Sequence, residues 1–523
     1  MRETGDMPGR DRAMHALNRL AFGPRPGDAE FVRNIGVEEY IRQQLHPEMI
    51  PIPEGLVRKV AGYRTLHMTP MALFLEYWRP VMQARHEIKR DNGDDKGAIK
   101  DALKAQRIVL EEAVEARLLR AIEGPRQLQE VMTHFWFNHF NVFAGKGLDH
   151  IWTGSFEQDA IRPNTMGKFR TLLAATARHP AMLFYLDNWQ NTAPGSPGAK
   201  GKFEGINENY ARELMELHTL GVNGGYSQQD VIALARILTG WGIPKGDEEA
   251  RRKFSGQGMG RFAGRYRRWG TGMPAIPASG FYFDPDRHDS SDKTLLGHRI
   301  GAGGAQEGEQ ALDILARHPS TANHLSYQLA QYFVADDPPR RLVERMAQRY
   351  LSSDGDIRAV LETMFSAPEF WDRACFGAKF KTPYEYVISS VRLSGVAVRN
   401  YRPLAGTMAM LGMPPYGCQT PNGYASVRDA WLNPDAMMRR LSFATGLGTG
   451  NLPLERPPDE HGPELAAGDH PERPAQKMPP LEPGRLAAAL GADFTASTSE
   501  AIAAADPKLR AALILGSPEF MTR

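Results

Sequence analysis

Three carboxylates, one guanidinium and one amide crowd a short stretch of this 523-residue chain, between Asn207 and His218. Read as a helix at about 100° per residue, Glu208, Asn209, Arg212, Glu213 and Glu216 share one arc of roughly 140°. Tyr210, Ala211, Leu214, Met215 and Leu217 take the remainder. Glu208 to Arg212 and Arg212 to Glu216 are i,i+4 spacings, those of helix-surface ion pairs worth about 0.2–0.5 kcal/mol each. The same set also suits the wall of a polar site. An Arg between two Glu, with a third Glu one turn away, lowers one carboxylate pKa and raises another by like-charge repulsion. That split separates a proton donor from a base. Glu213 or Glu216 is the expected donor or base, Arg212 the anchor and tuner, and Glu208 and Asn209 the substrate contacts.

A second constellation lies in the aromatic run from Val131 to Phe143. On a helix, His134, Asn138 and Asn141 fall within roughly 60° of one another, with His139 about 140° from His134. Phe135, Trp136, Phe137, Phe140 and Phe143 occupy the other positions, so most of this helix must be buried and its polar groups need partners. They read either as a hydrogen-bonded core stripe or, beside the carboxylate face, as the other wall of an acid/base pocket. A third constellation, in an expected loop, holds Asp284, Asp286, His288, Asp289, Asp292 and Lys293. Asp284 and Asp286 have the alternate spacing of a calcium loop without its Gly and terminal Glu. His288 with Asp289 has the form of a base beside its orienting carboxylate, although turn chemistry explains Asp and Ser here equally well.

These residues need helices to carry them. Periodicity of 3.6 dominates and strand-like alternation is scarce, so the fold class is all-α: one large multi-helix domain over 1–523. Helices are expected over 11–22, 28–44 (capped by Asp28), 70–90, 95–122, 126–143, 165–188, 205–220 and 228–241 (capped by Ser227). Others follow near 309–335, 339–352, 355–366, 381–395, 402–411, 434–446, 484–491 and 507–515. Two segments break the pattern and read as irregular loop insertions: 244–280, with the basic runs Arg251 to Lys253 and Arg265 to Arg268, and the Pro- and acid-rich 452–483. Two short echoes, Ser366 to Phe370 and Gly516 to Phe520, are Pro turns closed by an aromatic plug.

Composition narrows the functional classes. Hydrophobic residues at 42% and charged residues at 24% are ordinary for a globular chain. A net charge of +2 recruits neither nucleic acid nor an anionic membrane. Two cysteines, Cys375 and Cys418, make no disulfide framework. No stretch is apolar enough for a membrane span, and no apolar leader is visible, so the chain as it stands reads as cytoplasmic; loss of a leader would make it exported. Walker A, G-x-G-x-x-G, H-E-x-x-H and G-x-S-x-G sequences are absent. His218 stands two residues past Glu216, which breaks the E-x-x-H pattern of di-iron bundles.

In order along the chain, these motifs resemble the DUF1800 family of bacterial proteins. The opening block His15 to Pro24 is similar to its N-terminal signature. Phe135 to Phe140 resembles its aromatic His motif, and Glu208 to Leu217 with Asp230 to Trp241 its most distinctive segment. His288, Asp289 and Lys293 with Leu296 and Gly297, then Asp354 to Val360, Ser366 to Phe370 and Lys381 to Glu385, match further blocks. The resemblance implies a mostly helical fold and many exported members, and it carries no secure reaction. One position departs: the family's usual second His before the Asn of the aromatic motif is here Phe137. Were that His used for metal binding or proton transfer, this chain would be altered or inactive.

The expected activity is acid/base hydrolysis or elimination on a polar polymer, most plausibly a polysaccharide. Glu213, Glu216, Arg212, His139, His134 and Asn138 form the catalytic set. Glu208, Asn209, Trp136, Trp241, His288, Asp289 and Lys293 are the substrate contacts, with Trp136, Trp189 and Trp241 offered to sugar rings. Two alternatives stand beside it: a metal-dependent enzyme using His134 or His139, a Glu of 208–216 and the His288 loop, and a non-catalytic binding or assembly protein docking through the charged face. Cofactor, metal, substrate identity and oligomeric state are left open by the sequence.

Overall fold

The computed structural model describes residues 9–91, 97–201, 203–243, 278–455, 478–491 and 494–523. These are mainly helical, with only two small two-stranded sheets among them. Most of 244–280 and of 452–483 lies outside the described residues. No described helix is long and apolar enough to cross a membrane, and both cysteines are buried free thiols.

Two helices form the centre. Gln127–His139 is buried on nearly every face, and so is Pro383–Ser394; both pack on the long helix Gly97–Glu123. Both carry buried polar groups that find protein partners, among them Glu130, His134, Glu385 and Arg392. Thr382 and Glu385 close the start of Pro383–Ser394 as a reciprocal capping box, and Gly395 ends it with φ +67°. Around this centre, Pro319–Phe333, Arg340–Ser352 and Ile357–Phe365 pack in succession, and Arg510–Leu515 docks on Pro434–Gly448.

Four expected helices are shorter than their periodicity suggests. The 28–44 helix breaks at Gly36 (φ +89°) into Asp28–Ile35 and Val37–Leu45. The 165–188 helix becomes Phe169–Arg178 and Pro180–Tyr185, and 309–335 becomes Ala305–Arg317 and Pro319–Phe333. Pro180 and Pro319 lack the N–H that a continuing helix needs. In each case the preceding His restarts the chain: His179 Nδ1 accepts from Ala181 N–H and His318 Nδ1 from Ser320 N–H. The 205–220 helix contracts to Asn209–Glu216, with Gly221 at φ +84° a few residues past its end. Asp28 is not the expected cap; Gly27 holds that place, and Asp28 Oδ2 instead accepts from Arg25 N–H and the buried Arg392.

Ser227 does cap Gln228–Ile237, in a box with Asp230. Asp230 Oδ1 also accepts from Leu296 N–H at 2.8 Å, so this helix start holds the hairpin Lys293–Leu295/His298–Ile300. The hairpin turns through Leu296 (φ +49°) and Gly297 (φ +80°), a two-residue loop with both angles positive. The second pair, Trp241–Gly242 with Tyr282–Phe283, brings the 281–292 loop back against that same helix.

Candidate functional site

The helix Asn209–Glu216 presents its charged face half-exposed. Arg212 lies between Glu208 (3.0 Å) and Glu216 (3.5 Å), and their side chains keep 37%, 36% and 24% of their exposure. Gln228 completes the network, accepting from Arg212 and donating to Glu208 at 2.7 Å. Glu213 sits outside this clasp. Burial, and then the neighbouring Glu216, raise its pKa above the ordinary value, against a smaller pull from Arg212. At Tyr226, burial and then the Glu216 carboxylate push the hydroxyl up to about 12. Asn209 is exposed at the rim and donates to Leu186 O. The face therefore holds a carboxyl of raised pKa one turn from a second carboxylate.

The His/Asn stripe divides among separate neighbours. His139 is buried; its Nε2 lies 3.1 Å from His218 O, just beyond the charged helix, and its Nδ1 2.8 Å from Gln328 Oε1. Burial, then His324, press its pKa down to about 3. His134 accepts from Arg117 Nη2 at 2.8 Å and stacks on Tyr384 with ring centroids 4.3 Å apart. An acceptor Nδ1 places the ring proton on Nε2, and burial followed by Arg117 holds the pKa well below 6.5. Asn138 pairs with the backbone of Tyr424, donating to its O and accepting from its N–H, both at 2.7 Å, while Asn141 donates to Cys418 O and Thr420 O. The two amides thus clasp the 418–424 loop.

Trp136 and Trp241 are enclosed and offer no face to a sugar ring. Trp136 Nε1 donates to Thr165 O, and the Trp241 ring lies against Gly308 and Phe281. Trp189 is half-buried and stacked on Phe184.

In the third constellation, both ring nitrogens of His288 face acceptors: Nδ1 faces Thr239 O, and Nε2 lies 2.9 Å from Glu307 Oε1. Glu307 and Lys293 have no exposed side-chain surface and pair at 2.5 Å; Glu307 Oε1 also accepts from Gly303 and Gly304 N–H. Burial alone would raise Glu307, but Lys293, His288 and Gly303 outweigh it and leave its pKa lowered. Asp289 is likewise held below the carboxylate range: burial opposes, and hydrogen bonds from Arg236 and Ser291 prevail. With every carboxylate atom of Glu307 engaged, this unit ties the hairpin to the start of helix Ala305–Arg317. Among the described residues, no group of three or more His, Cys, Asp and Glu is placed to hold a metal ion.

Two polar clusters lie outside the residues singled out by spacing. Arg117, Glu157, Arg162 and Glu130 form a buried chain: Arg117–Glu157 2.9 Å, Arg162–Glu157 3.2 Å and Arg162–Glu130 2.6 Å. Tyr416 donates to Glu157, which projects from the π-helical turn Phe156–Ile161. The second cluster surrounds a small pocket lined by Asn18, Tyr332, Lys381, Glu385, Ser389 and Arg523, among others.

A family model described as "Protein of unknown function (DUF1800)" matches residues 15–522. The chain is a member of that family. Comparison with curated proteins and with solved structures returned no match. Three of the DUF1800-like blocks gain a location from the fold. His15 to Pro24 and Lys381 to Glu385, distant in sequence, meet at this small pocket. Phe137, standing where the resemblance leads one to expect His, is buried with the Arg117 guanidinium 5.0 Å over its ring and Tyr416 edge-on. That position therefore borders the buried Arg/Glu chain.

Proposed function

We propose that this DUF1800 protein is an acid/base hydrolase or lyase acting on a polar polymer, of which a polysaccharide is the leading class, at the 208–216 face. The observation that carries the reading is Glu213, a half-buried carboxyl raised by burial and by Glu216 on the same helix face. In this reading Glu213 is the proton donor, Glu216 the base, and Arg212, anchored by Glu208 and Gln228, the substrate's ionic contact. A half-exposed face with no enclosing walls among the described residues suits an extended chain better than a small enclosed ligand. His139 supports the His218 carbonyl beyond the helix end, and His134 and Asn138, enclosed by protein partners, are assigned positioning roles.

The test is a screen of neutral and anionic polysaccharides for new reducing ends and for unsaturated products. Against any substrate turned over, Glu213→Gln and Glu216→Gln are each expected to lose about 10²–10⁴-fold in turnover, the usual range for a general acid or base. Their thermal midpoints should match wild type, because neither side chain is deeply packed. Full activity in both variants would sink the proposal.

A further inference from the structure

We propose that the pocket between the N-terminal helix, helix Pro383–Ser394 and the segment ending at Arg523 binds a small monovalent anion, either a halide or the carboxylate of a short organic acid, on Lys381 and Arg523. Arg19, Lys379, Lys381, Arg440 and Arg523 are all buried in this region, and the side-chain carboxylates that act on them are Glu385 and Asp336. Asp336 is taken by Lys379 and by the Arg428 N–H. Glu385 is fully engaged as well: Oε1 accepts from Tyr332 Oη–H and pairs with Arg523 at 2.8 Å, and Oε2 accepts from Thr382 N–H.

Lys381 is left over. Its ammonium makes no hydrogen bond or ion pair with any described residue and rests 3.8 Å above the Phe520 ring. Burial is the main force that lowers its pKa to about 7, with Arg523 and Arg440 adding repulsion and Glu385 opposing. Arg523 Nε, Arg19 Nε and Nη1, and Arg440 Nε and Nη1 are buried without an acceptor. With Lys379 and Arg523 paired, Lys381, Arg19 and Arg440 remain without a side-chain ion pair among the described residues, which is costly, and unpaired buried donors add to that cost. One anion seated beside Lys381 Nζ and Arg523 Nε supplies the missing charge and the missing acceptor together. Asn18, whose Oδ1 is buried and unpartnered, becomes a further donor to it when the amide rotates by half a turn. The pocket has room for about one water-sized sphere, roughly 10 Å³, which limits the occupant to very few atoms.

The experiment replaces sodium gluconate, too large for the pocket, by sodium bromide or by sodium formate at constant ionic strength, and follows thermal unfolding of the full chain. Anomalous scattering from a bromide-soaked crystal gives the position. A saturable rise of Tm with bromide and a bromide peak beside Lys381 Nζ establish a halide site. A saturable rise with formate alone establishes a carboxylate site. Lys381→Met, which keeps the aliphatic stem over Phe520, should weaken the response at least about tenfold, and Lys381→Arg should retain it. No saturable response to either salt in the folded wild type, or an undiminished response in Lys381→Met, overturns the proposal. Where Lys381→Met does not fold, the wild-type titration and the bromide map decide by themselves.

Discussion

Replacing Glu157 by Leu is expected to cost about 3–5 kcal/mol of folding stability, the range for removing one member of a buried ion pair. Glu157 is the hinge of the Arg117–Glu157–Arg162–Glu130 chain, pairing with both guanidinium groups and accepting from Tyr416. Burial draws Arg117 and Arg162 toward the neutral form; Glu157 with Tyr384 and Tyr416 together reverse it for Arg117, and Glu130 with Glu157 lead the reversal for Arg162. Without Glu157, Arg117 is left with His134 Nδ1 and the aromatic faces of Phe137, Tyr384 and Tyr416. Most of the cost is thus an uncompensated buried cation rather than a lost attraction. The double variant Arg117→Met/Glu157→Met should recover much of the loss, since apolar replacement of a whole buried pair is often near neutral. Chemical denaturation of the single and double variants measures both. A single variant within about 1 kcal/mol of wild type would show that the chain carries little stability.

The second large effect is acid unfolding that begins just below pH 6.5. His15, His134, His139, His179 and His218 are buried, and burial leads the causes that depress the pKa of each, to about 3 for His139 and His179. Folded, these imidazoles stay neutral; unfolded, they take protons near pH 6.5. Their contribution to stability is therefore fully present above the unfolded pKa and is lost as pH falls through the window down toward the folded values. Each costs about 1.4 kcal/mol per pH unit in that window. Asp149 and Asp159, raised chiefly by burial, Asp159 to about 6, work the other way by releasing protons on unfolding. The net slope is expected at roughly 4–7 kcal/mol per pH unit, enough to exhaust an ordinary stability of about 5–15 kcal/mol within two or three units. Denaturation curves from pH 7.5 to 5 measure the slope, and His139→Asn should reduce it by about one proton. A flat profile over that range would contradict the neutral, buried state of these rings.

Most of the helices were legible because their apolar faces repeat at 3.6 residues, and Ser227 with Asp230 announced a helix start that the structure contains. The breaks were legible in principle too. Pro180 and Pro319 stand inside helices expected over 165–188 and 309–335, and periodicity on either side obscured them. The Arg212 network also follows from i,i+4 spacing alone. What spacing cannot carry is which distant group meets which. Arg117 and Glu157 are 40 positions apart and Lys381 and Arg523 farther still, and each taken singly looks like an ordinary surface charge. For the same reason His134 and Asn138 share a helix face in the sequence yet serve different partners, Arg117 and the Tyr424 backbone.

Glu213, on a half-exposed face, is expected to titrate above an ordinary glutamate because burial and then Glu216 make its charge costly. Carbon-13 titration of the glutamate carboxyls, in wild type and in Glu216→Gln, tests it without needing a substrate. The account predicts a Glu213 midpoint above the ordinary value of about 4.3 in wild type and a lower one in the variant. A Glu213 midpoint at the ordinary value, unmoved by Glu216→Gln, would contradict it.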